Sequence, residues 1–216
     1  MTFKHLIVVA LCATAMACGN RNNGDTPESP PTPNDAMSPA TPEAPVAPEP
    51  PAPPPVQEFK TKTGKVFLLE ESHPKGMSLS DIKVMFADDQ ASALNFSDLD
   101  PVNKVLVGDL DKNGFDELYV ITTAAGSGSY GNLRGFASLR DKSIGMVNLP
   151  ELAPSDMAKG GQFEGYEGHD EFTITNNELV RTFPVKSDKG SKRTVVYKMV
   201  PGEAAYQLVV KSSTVN

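Results

Sequence analysis

The chain has 216 residues, a formal net charge of −7 at pH 7 and only two cysteines. Its excess of acidic over basic residues argues against nucleic acid and anionic membrane surfaces as partners and favours a cationic one. Both cysteines, Cys12 and Cys18, lie near the start, so we expect the rest of the chain to contain no disulfide and to depend on burial and hydrogen bonding.

The first 17 residues are typical of an export signal. Lys4 supplies a positive start, residues 6–11 form a short apolar run, and small residues precede Cys18. The run is too short to cross a bilayer of ~30 Å, which favours a cleaved signal over an anchor. The segment resembles the lipobox of bacterial lipoproteins, which implies acylation of Cys18. Gly19 resembles the pattern for sorting to the outer membrane. Simple cleavage after Ala17, which releases a soluble periplasmic protein, is the alternative.

Residues 18–56 are predicted to form a disordered, proline-rich linker. They contain most of the 19 prolines of the chain and few apolar residues other than alanine and valine. Such a composition cannot bury enough surface to fold, and its prolines favour an extended polyproline II form. A linker of this kind would let a folded domain stand clear of the membrane that holds its lipid anchor.

Residues 57–216 are predicted to form one all-β domain, an antiparallel β-sandwich or barrel of about eight strands. The candidate strands are short, rich in β-branched and aromatic residues, and bounded in many cases by glycine, asparagine, aspartate or proline. They cover residues 65–71, 81–87, 104–110, 117–123, 133–140, 171–176, 178–185, 193–200 and 205–213. Because no helical pattern separates them, an antiparallel arrangement is expected.

Local signals add detail to this prediction. Asn176 and Asn177 tolerate the positive φ of a tight hairpin turn, and Pro201-Gly202 is predicted to close a second hairpin. Two short stretches, residues 78–84 and residues 92–99, are compatible with a single turn of helix.

An aspartate-rich motif, "GDLDKNGFDELYV", precedes one of the predicted strands. Its oxygen-bearing side chains alternate and end in two carboxylates: Asp109, Asp111, Asn113, Asp116 and Glu117. This spacing lets oxygens converge on a hard cation such as Ca²⁺. An EF-hand is excluded, since Val120 occupies the position of the bidentate glutamate and a strand follows. A plain turn, in which the side chains accept backbone N–H groups, is the other interpretation.

The stretch "AAGSGSYGNLRGF", residues 124–136, carries four glycines, two serines and a tyrosine. Glycine allows close approach of the backbone, so the stretch is predicted to be a loop shaped to enter a polar cleft. Neither Ser127 nor Ser129 fits the Gly-x-Ser-x-Gly nucleophile elbow, and the loop does not open a helix as a dinucleotide fingerprint must. With no catalytic set identified, we predict that the protein is not an enzyme.

The segment "GHDEF" places His169, Asp170 and Glu171 in succession. Consecutive residues of a strand point to alternate faces, so these three are not expected to bind one ion. We interpret His169 as part of a turn at the start of a strand. Four arginines are scattered along the domain, and most of them are interpreted as solvated residues on strand faces: Arg134, Arg140, Arg181 and Arg193.

Several of these motifs, in this order, resemble the bacterial periplasmic inhibitors of invertebrate-type (i-type) lysozyme. The motifs are "DLDKNGFDELYVIT", "AAGSGSYGNLRGFA", "GHDEF", "LVRTFPV" and "YKMVPGEAAYQLVV". The resemblance covers residues 104–210, and more loosely the strands from Phe59 onward. It does not include the proline-rich linker or the N-terminal cysteine.

The resemblance implies a non-catalytic domain that inserts a loop into the active-site cleft of i-type lysozyme. It implies that Ser127 and Tyr130 are the inserted side chains, that Gly128 and Ser129 shape the loop, and that Arg134 contacts the rim of the cleft. It implies no cofactor, and it leaves monomer and homodimer both open. The alternative function is a calcium-stabilised, β-rich surface or adhesion module, because of the aspartate-rich motif.

Overall fold

The computed structural model describes residues 54–73, 78–186 and 190–216. The predicted export signal, Cys18 and nearly all of the predicted linker lie outside these ranges. In the part that is described the fold is all-β, as predicted: it contains twelve strands and one short helix, α1 (Pro154–Met157). No helix in these ranges is both long and apolar enough to cross a membrane.

Two sheets make up the fold. The outer sheet, as we call the smaller one, consists of four consecutive antiparallel neighbours. They are β1 (Val56–Lys60), β2 (Val66–Ser72), β3 (Ser80–Phe86) and β4 (Asp89–Leu99). Its first strand begins at Val56, the last residue of the predicted linker.

The larger sheet, called the barrel sheet here, has eight strands in the order β5-β6-β7-β8-β12-β11-β10-β9. The strands are β5 (Val102–Gly108), β6 (Glu117–Thr123), β7 (Gly131–Leu139), β8 (Ser143–Asn148), β9 (Glu171–Thr175), β10 (Glu178–Pro184), β11 (Lys192–Pro201) and β12 (Tyr206–Val215).

Two antiparallel four-stranded units are joined in the barrel sheet by a short parallel pairing of β8 with β12. The two outermost strands, β5 and β9, also approach each other. Lys104 Nζ donates to the Phe172 carbonyl at 3.0 Å, and a Cβ on Gly108 would lie 3.0 Å from Ile174 Cδ1. The sheet therefore curls into a nearly closed barrel.

Strand β6 is buried on both faces and separates two apolar cores. Tyr119 and Ile121 point into the barrel, where they meet the aromatic and aliphatic side chains of β7 and β9–β12. Leu118 and Val120 point the other way, toward the outer sheet. This alternation follows from the two-residue period of a strand. It explains why "ELYVIT" is apolar at nearly every position.

All nine predicted strands are present, but the count of about eight was too low because three further strands were missed. These are β1, β4 and β8. Residues 92–99, which were compatible with a turn of helix, belong to β4, and residues 80–84 belong to β3. Strand β4 is rich in Ala, Ser, Asn and Asp, which have low β-propensity. It is an edge strand, so its pairing with β3 and not its own composition determines its conformation.

The hairpin predicted at Asn176-Asn177 is confirmed: both residues have positive φ, 53° and 62°, between β9 and β10. The second predicted hairpin also forms, between β11 and β12. Its turn lies just after Pro201, where the Gly202 N–H donates to the Ala205 carbonyl at 2.9 Å.

Truncation of Phe136 tests whether the two sheets form one cooperative domain. Phe136 is fully buried and its ring lies edge-on to Phe96 of β4, with ring centroids 5.7 Å apart. We expect Phe136→Ala to lower the free energy of unfolding by ~3–5 kcal/mol in urea denaturation, because it opens a cavity between the sheets. Ser97→Ala, at an exposed position of β4, is the control. A loss no larger than that of the control would contradict the packing described here.

Candidate functional site

The glycine-rich stretch forms the hairpin loop between β6 and β7. The loop proper, called the SGSY loop below, is residues 124–130, and the rest of the predicted stretch belongs to β7. Its base is closed by an N–H of Ala124 that donates to the Tyr130 carbonyl at 2.9 Å. At its tip the Ser129 N–H donates to the Gly126 carbonyl at 2.9 Å, and Ser129 has a positive φ of 42°. The SGSY loop is thus a hydrogen-bonded hairpin end.

The two side chains proposed for insertion are both accessible. Ser127 is exposed, and Tyr130 has half of its surface exposed, which is unusual for an aromatic residue in this fold. The Tyr130 ring packs edge-on against the ring of Tyr166, with 5.8 Å between centroids. A Cβ on Gly128 would lie 2.4 Å from the Tyr130 ring. The backbone at Gly128 therefore passes close against the tyrosine ring.

The "GHDEF" segment lies directly beside the SGSY loop. The His169 N–H donates to the Gly128 carbonyl at 2.7 Å. Gly168 has a φ of 87°, and a Cβ there would lie 2.0 Å from the same carbonyl oxygen. Only glycine fits at this position, because a side chain would clash with the loop backbone. His169 occupies a turn immediately before β9, as expected.

A buried ion pair lies under the base of the loop. Arg181 Nε of β10 donates to Asp170 Oδ1 at 2.6 Å, and the two side chains are 4% and 0% exposed. Asp170 Oδ2 accepts the Gly131 N–H at 2.8 Å and the Tyr166 hydroxyl at 2.6 Å. Arg181 Nη2 also donates to the Tyr166 oxygen at 2.6 Å. The pair thus holds the first residue of β7 and the ring on which Tyr130 packs.

Three aromatic rings enclose the Arg181 guanidinium: Phe163, Tyr166 and Phe172, with centroids 4.8–5.4 Å away. Burial by itself would lower the pKa of Arg181, but the hydrogen bond and charge of Asp170 raise it above its ordinary value. Burial, together with the hydrogen bond to Asp170, raises the pKa of the Tyr166 hydroxyl. The arginine is therefore a fixed positive charge and the phenol a fixed donor.

A surface depression of about 400 Å³ lies beside the loop. Its lining includes Ser127, Gly128, Tyr130, Glu167, His169 and Lys186. Lys186 Nζ forms an exposed ion pair with Glu167. The accessible surface around the SGSY loop is therefore polar and carries both signs of charge.

Arg134 lies away from this depression. It is on β7, four residues past the loop, and its guanidinium carbon lies 5.0 Å from the centroid of the Phe96 ring in the outer sheet. It is half-buried, so only part of its side chain is available to a partner. The role of a rim contact stays a prediction for this residue.

Arg181 is an exception to the interpretation that most of the arginines are solvated, because its side chain is 4% exposed, and the support role of Asp170 and Tyr166 was missed. The sequence holds a signal for Arg181. It alternates with Leu179 and Phe183 along β10, in the inward-facing register, and all three are buried. An arginine in that register requires a buried carboxylate partner.

The aspartate-rich turn, residues 109–116, forms a second cluster at the opposite end of β6. Asp109, Asp111 and Glu117 each offer a carboxylate oxygen, and these oxygens lie within 4.8 Å of one another. Asp109 accepts the N–H groups of Asn113 and Gly114, each at 3.0 Å. This segment therefore forms the predicted turn, in which side chains accept backbone N–H groups, and it also brings three carboxylates together.

The carboxylates of this cluster differ in their electrostatics. Burial would raise the pKa of Asp109, but hydrogen bonds from Lys62 and Gly114 lower it. Burial raises the pKa of Asp111, to which the charge of Asp109 adds. Burial also raises the pKa of Glu117, which has no exposed surface, to about 8. A carboxylate with so high a pKa is poorly compensated in its ionised form.

Comparisons with protein-family models, with curated proteins and with solved structures found no match to this chain. A functional interpretation of the SGSY loop therefore depends on its geometry and on the motifs of the sequence. Of the five residues predicted for it, four lie in the loop itself and Arg134 lies on the neighbouring strand.

Substitution of Asp170 tests the support under the loop. Asp170→Asn keeps the shape of the side chain but leaves the buried Arg181 charge unpaired. We expect the free energy of unfolding to fall by ~3–5 kcal/mol in chemical denaturation. The matched control is Asp88→Asn, which breaks the ion pair between Lys65 and Asp88. The Asp88 side chain is 68% exposed, so we expect this variant to leave the free energy of unfolding unchanged within error. Equal losses in the two variants would contradict a structural role for the Arg181–Asp170 pair.

Proposed function

We propose that this protein is a non-catalytic inhibitor of i-type lysozyme that inserts the SGSY loop into the active-site cleft of the enzyme. The observation that carries the proposal is that Ser127 and Tyr130 are exposed on a loop whose backbone is held in place by hydrogen bonds to the residues beneath it. The order of motifs along the chain, which resembles that of the known inhibitors, supports the same function.

Rigidity of the loop favours tight binding. Association is opposed by the entropy of ordering the groups that form the interface, so a loop already held in one conformation loses less on binding. Here the Gly128 carbonyl is held by the His169 N–H, and the Gly131 N–H is held by the buried Asp170. Tyr130 is restrained on one side by the Tyr166 ring.

The chemistry of the exposed groups suits a lysozyme cleft. Such clefts carry two carboxyl groups beside the glycosidic bond, in a groove that binds sugar hydroxyls. The hydroxyls of Ser127 and Tyr130 can donate hydrogen bonds to those carboxyl groups as a sugar would, and they present no bond that the enzyme could cleave. Tyrosine also contributes rigid apolar surface with a polar tip, which is common in the residues that dominate binding energy.

The acidic character of the chain is consistent with this partner if the enzyme is basic. Complementary net charge speeds association more than it increases final affinity, and the effect weakens as salt increases. We further propose that the protein works in the bacterial periplasm, tethered to the outer membrane through an acylated Cys18, where it protects peptidoglycan. The N-terminal sequence motifs support this location, and they lie outside the described residues.

Replacement of the two loop side chains tests the proposal. Wild-type protein should inhibit an i-type lysozyme in a turbidity assay on peptidoglycan. We expect Tyr130→Ala to raise the inhibition constant ~30-fold and Ser127→Ala ~10-fold, because each removes a contact with the cleft. Both residues are exposed, so the melting temperature should not change. Val56→Ala, with the same exposed fraction as Tyr130, is the control. Absence of inhibition by the wild-type protein at micromolar concentration would overturn the proposed function.

A pair of glycine variants tests whether the position of Tyr130 matters. In Gly128→Ala the new methyl group would collide with the Tyr130 ring and displace it, whereas Gly126 has no atom within 4 Å of its added Cβ. We expect Gly128→Ala to weaken inhibition at least tenfold and Gly126→Ala to leave it nearly unchanged, both measured in the same turbidity assay. Equal potency of the two variants would mean that the orientation of Tyr130 does not determine binding.

A further inference from the structure

We infer that the aspartate-rich turn and Glu117 together form a Ca²⁺ site that stabilises the fold. The site consists of Asp109 and Asp111 from the turn and Glu117 from the first position of β6, whose ligand oxygens lie within 4.8 Å of one another. Three oxygens at that separation can bind one cation. The inference does not depend on the lysozyme-inhibitor function.

The strongest sign of a missing ligand is the side chain of Glu117. It has no exposed surface, and its Oε1 atom has no hydrogen-bond partner among the residues that the structure describes. Its Oε2 atom accepts the Leu110 N–H at 2.7 Å and the Tyr119 hydroxyl at 3.2 Å. A buried carboxylate oxygen without a partner is strongly destabilising, and a bound cation would satisfy it.

Charge balance also favours a cation. Lys62, in the turn between β1 and β2, pairs with Asp109 and lies 3.6 Å from Asp116. Over the described ranges, neither Asp111 nor Glu117 forms an ion pair. The ion pairs of the three-carboxylate cluster and the adjacent Asp116 thus involve a single lysine, Lys62, whose side chain is 44% exposed.

The donor set selects the kind of metal. The three ligands are carboxylates, and no histidine or cysteine belongs to the cluster. Hard oxygen donors suit Ca²⁺ and Mg²⁺, and they disfavour zinc or copper. Ca²⁺ accepts irregular geometry and completes its coordination with backbone carbonyls and water, whereas Mg²⁺ requires near-octahedral geometry at short distances. An acidic turn without regular secondary structure therefore favours Ca²⁺.

The structure also gives different roles to the two carboxylates that end the motif, Asp116 and Glu117. Asp116 Oδ2 accepts the Lys62 N–H at 2.6 Å, so this residue ties the turn to the outer sheet. Glu117, in contrast, belongs to the cluster. Asn177 Nδ2 donates to the Asp109 carbonyl at 2.7 Å, which attaches the β9–β10 turn to the same place. A cation here would hold the aspartate-rich turn, to which the β1–β2 and β9–β10 turns are each hydrogen-bonded.

The test uses the purified protein, stripped of metal by a chelator and then freed of the chelator. We expect saturating CaCl₂ to raise the melting temperature by about 5 °C or more. Tb³⁺, a Ca²⁺ substitute, should give luminescence sensitised by Tyr119, whose hydroxyl bonds Glu117, and Ca²⁺ should displace it. Inhibition of lysozyme at 25 °C should stay unchanged, since the SGSY loop lies at the other end of β6. This readout separates the failure of the calcium site from the failure of the proposed function.

Two variants identify the ligands. Asp111→Asn removes a ligand charge at a half-buried position and should weaken Tb³⁺ and Ca²⁺ binding at least tenfold. Asp116→Asn changes the neighbouring carboxylate outside the cluster and should retain binding. If Ca²⁺ neither raises the melting temperature nor displaces Tb³⁺, then the turn holds no Ca²⁺ and the inference is overturned. An equal rise with MgCl₂ at the same concentration would overturn it as well, because it would indicate general screening of acidic charge.

Discussion

The buried Arg181–Asp170 pair is the interaction on which the arrangement around the SGSY loop depends. Removing two charges from water is unfavourable, so such a pair is retained only where further hydrogen bonds satisfy both partners. Here Asp170 accepts two donors besides Arg181, the Gly131 N–H at the start of β7 and the Tyr166 hydroxyl, and Arg181 is enclosed by aromatic rings. The same carboxylate thus anchors the end of the loop and the tyrosine that supports Tyr130.

This arrangement divides the residues of the site into two groups with different roles. Asp170, Arg181 and Tyr166 are buried or partly buried and determine where the loop lies, whereas Ser127 and Tyr130 are exposed and available to a partner. A change in the first group alters stability and function together. Under the proposed function, a change in the second group is expected to alter binding alone, so comparing stability with inhibition can distinguish support from contact.

Much of the fold could be predicted from the sequence, because several strands of the barrel sheet, β6 and β9 above all, are rich in β-branched and aromatic residues. Strand β4 could not, because its residues have low β-propensity and only its pairing with β3 makes it a strand. The loop and its glycines were recognised, but the contact of Gly168 with Gly128 joins residues far apart in the chain. Arg181 was not distinguished from the other arginines, although its inward register on β10 indicates burial.

Strand β6 connects the two candidate sites and also keeps them independent. Both of its faces are packed, by the barrel core on one side and the outer sheet on the other, so it is among the least deformable parts of the fold. Glu117 begins the strand and the SGSY loop follows its last residue, roughly 20 Å away at the rise of a β-strand. The cation proposed at Glu117 would therefore stabilise the strand without any contact with the loop. Stability and binding can then change separately. The aspartate-rich end of β6 would contribute to the stability of the fold, and the glycine-rich end would present the residues that are proposed to bind the partner.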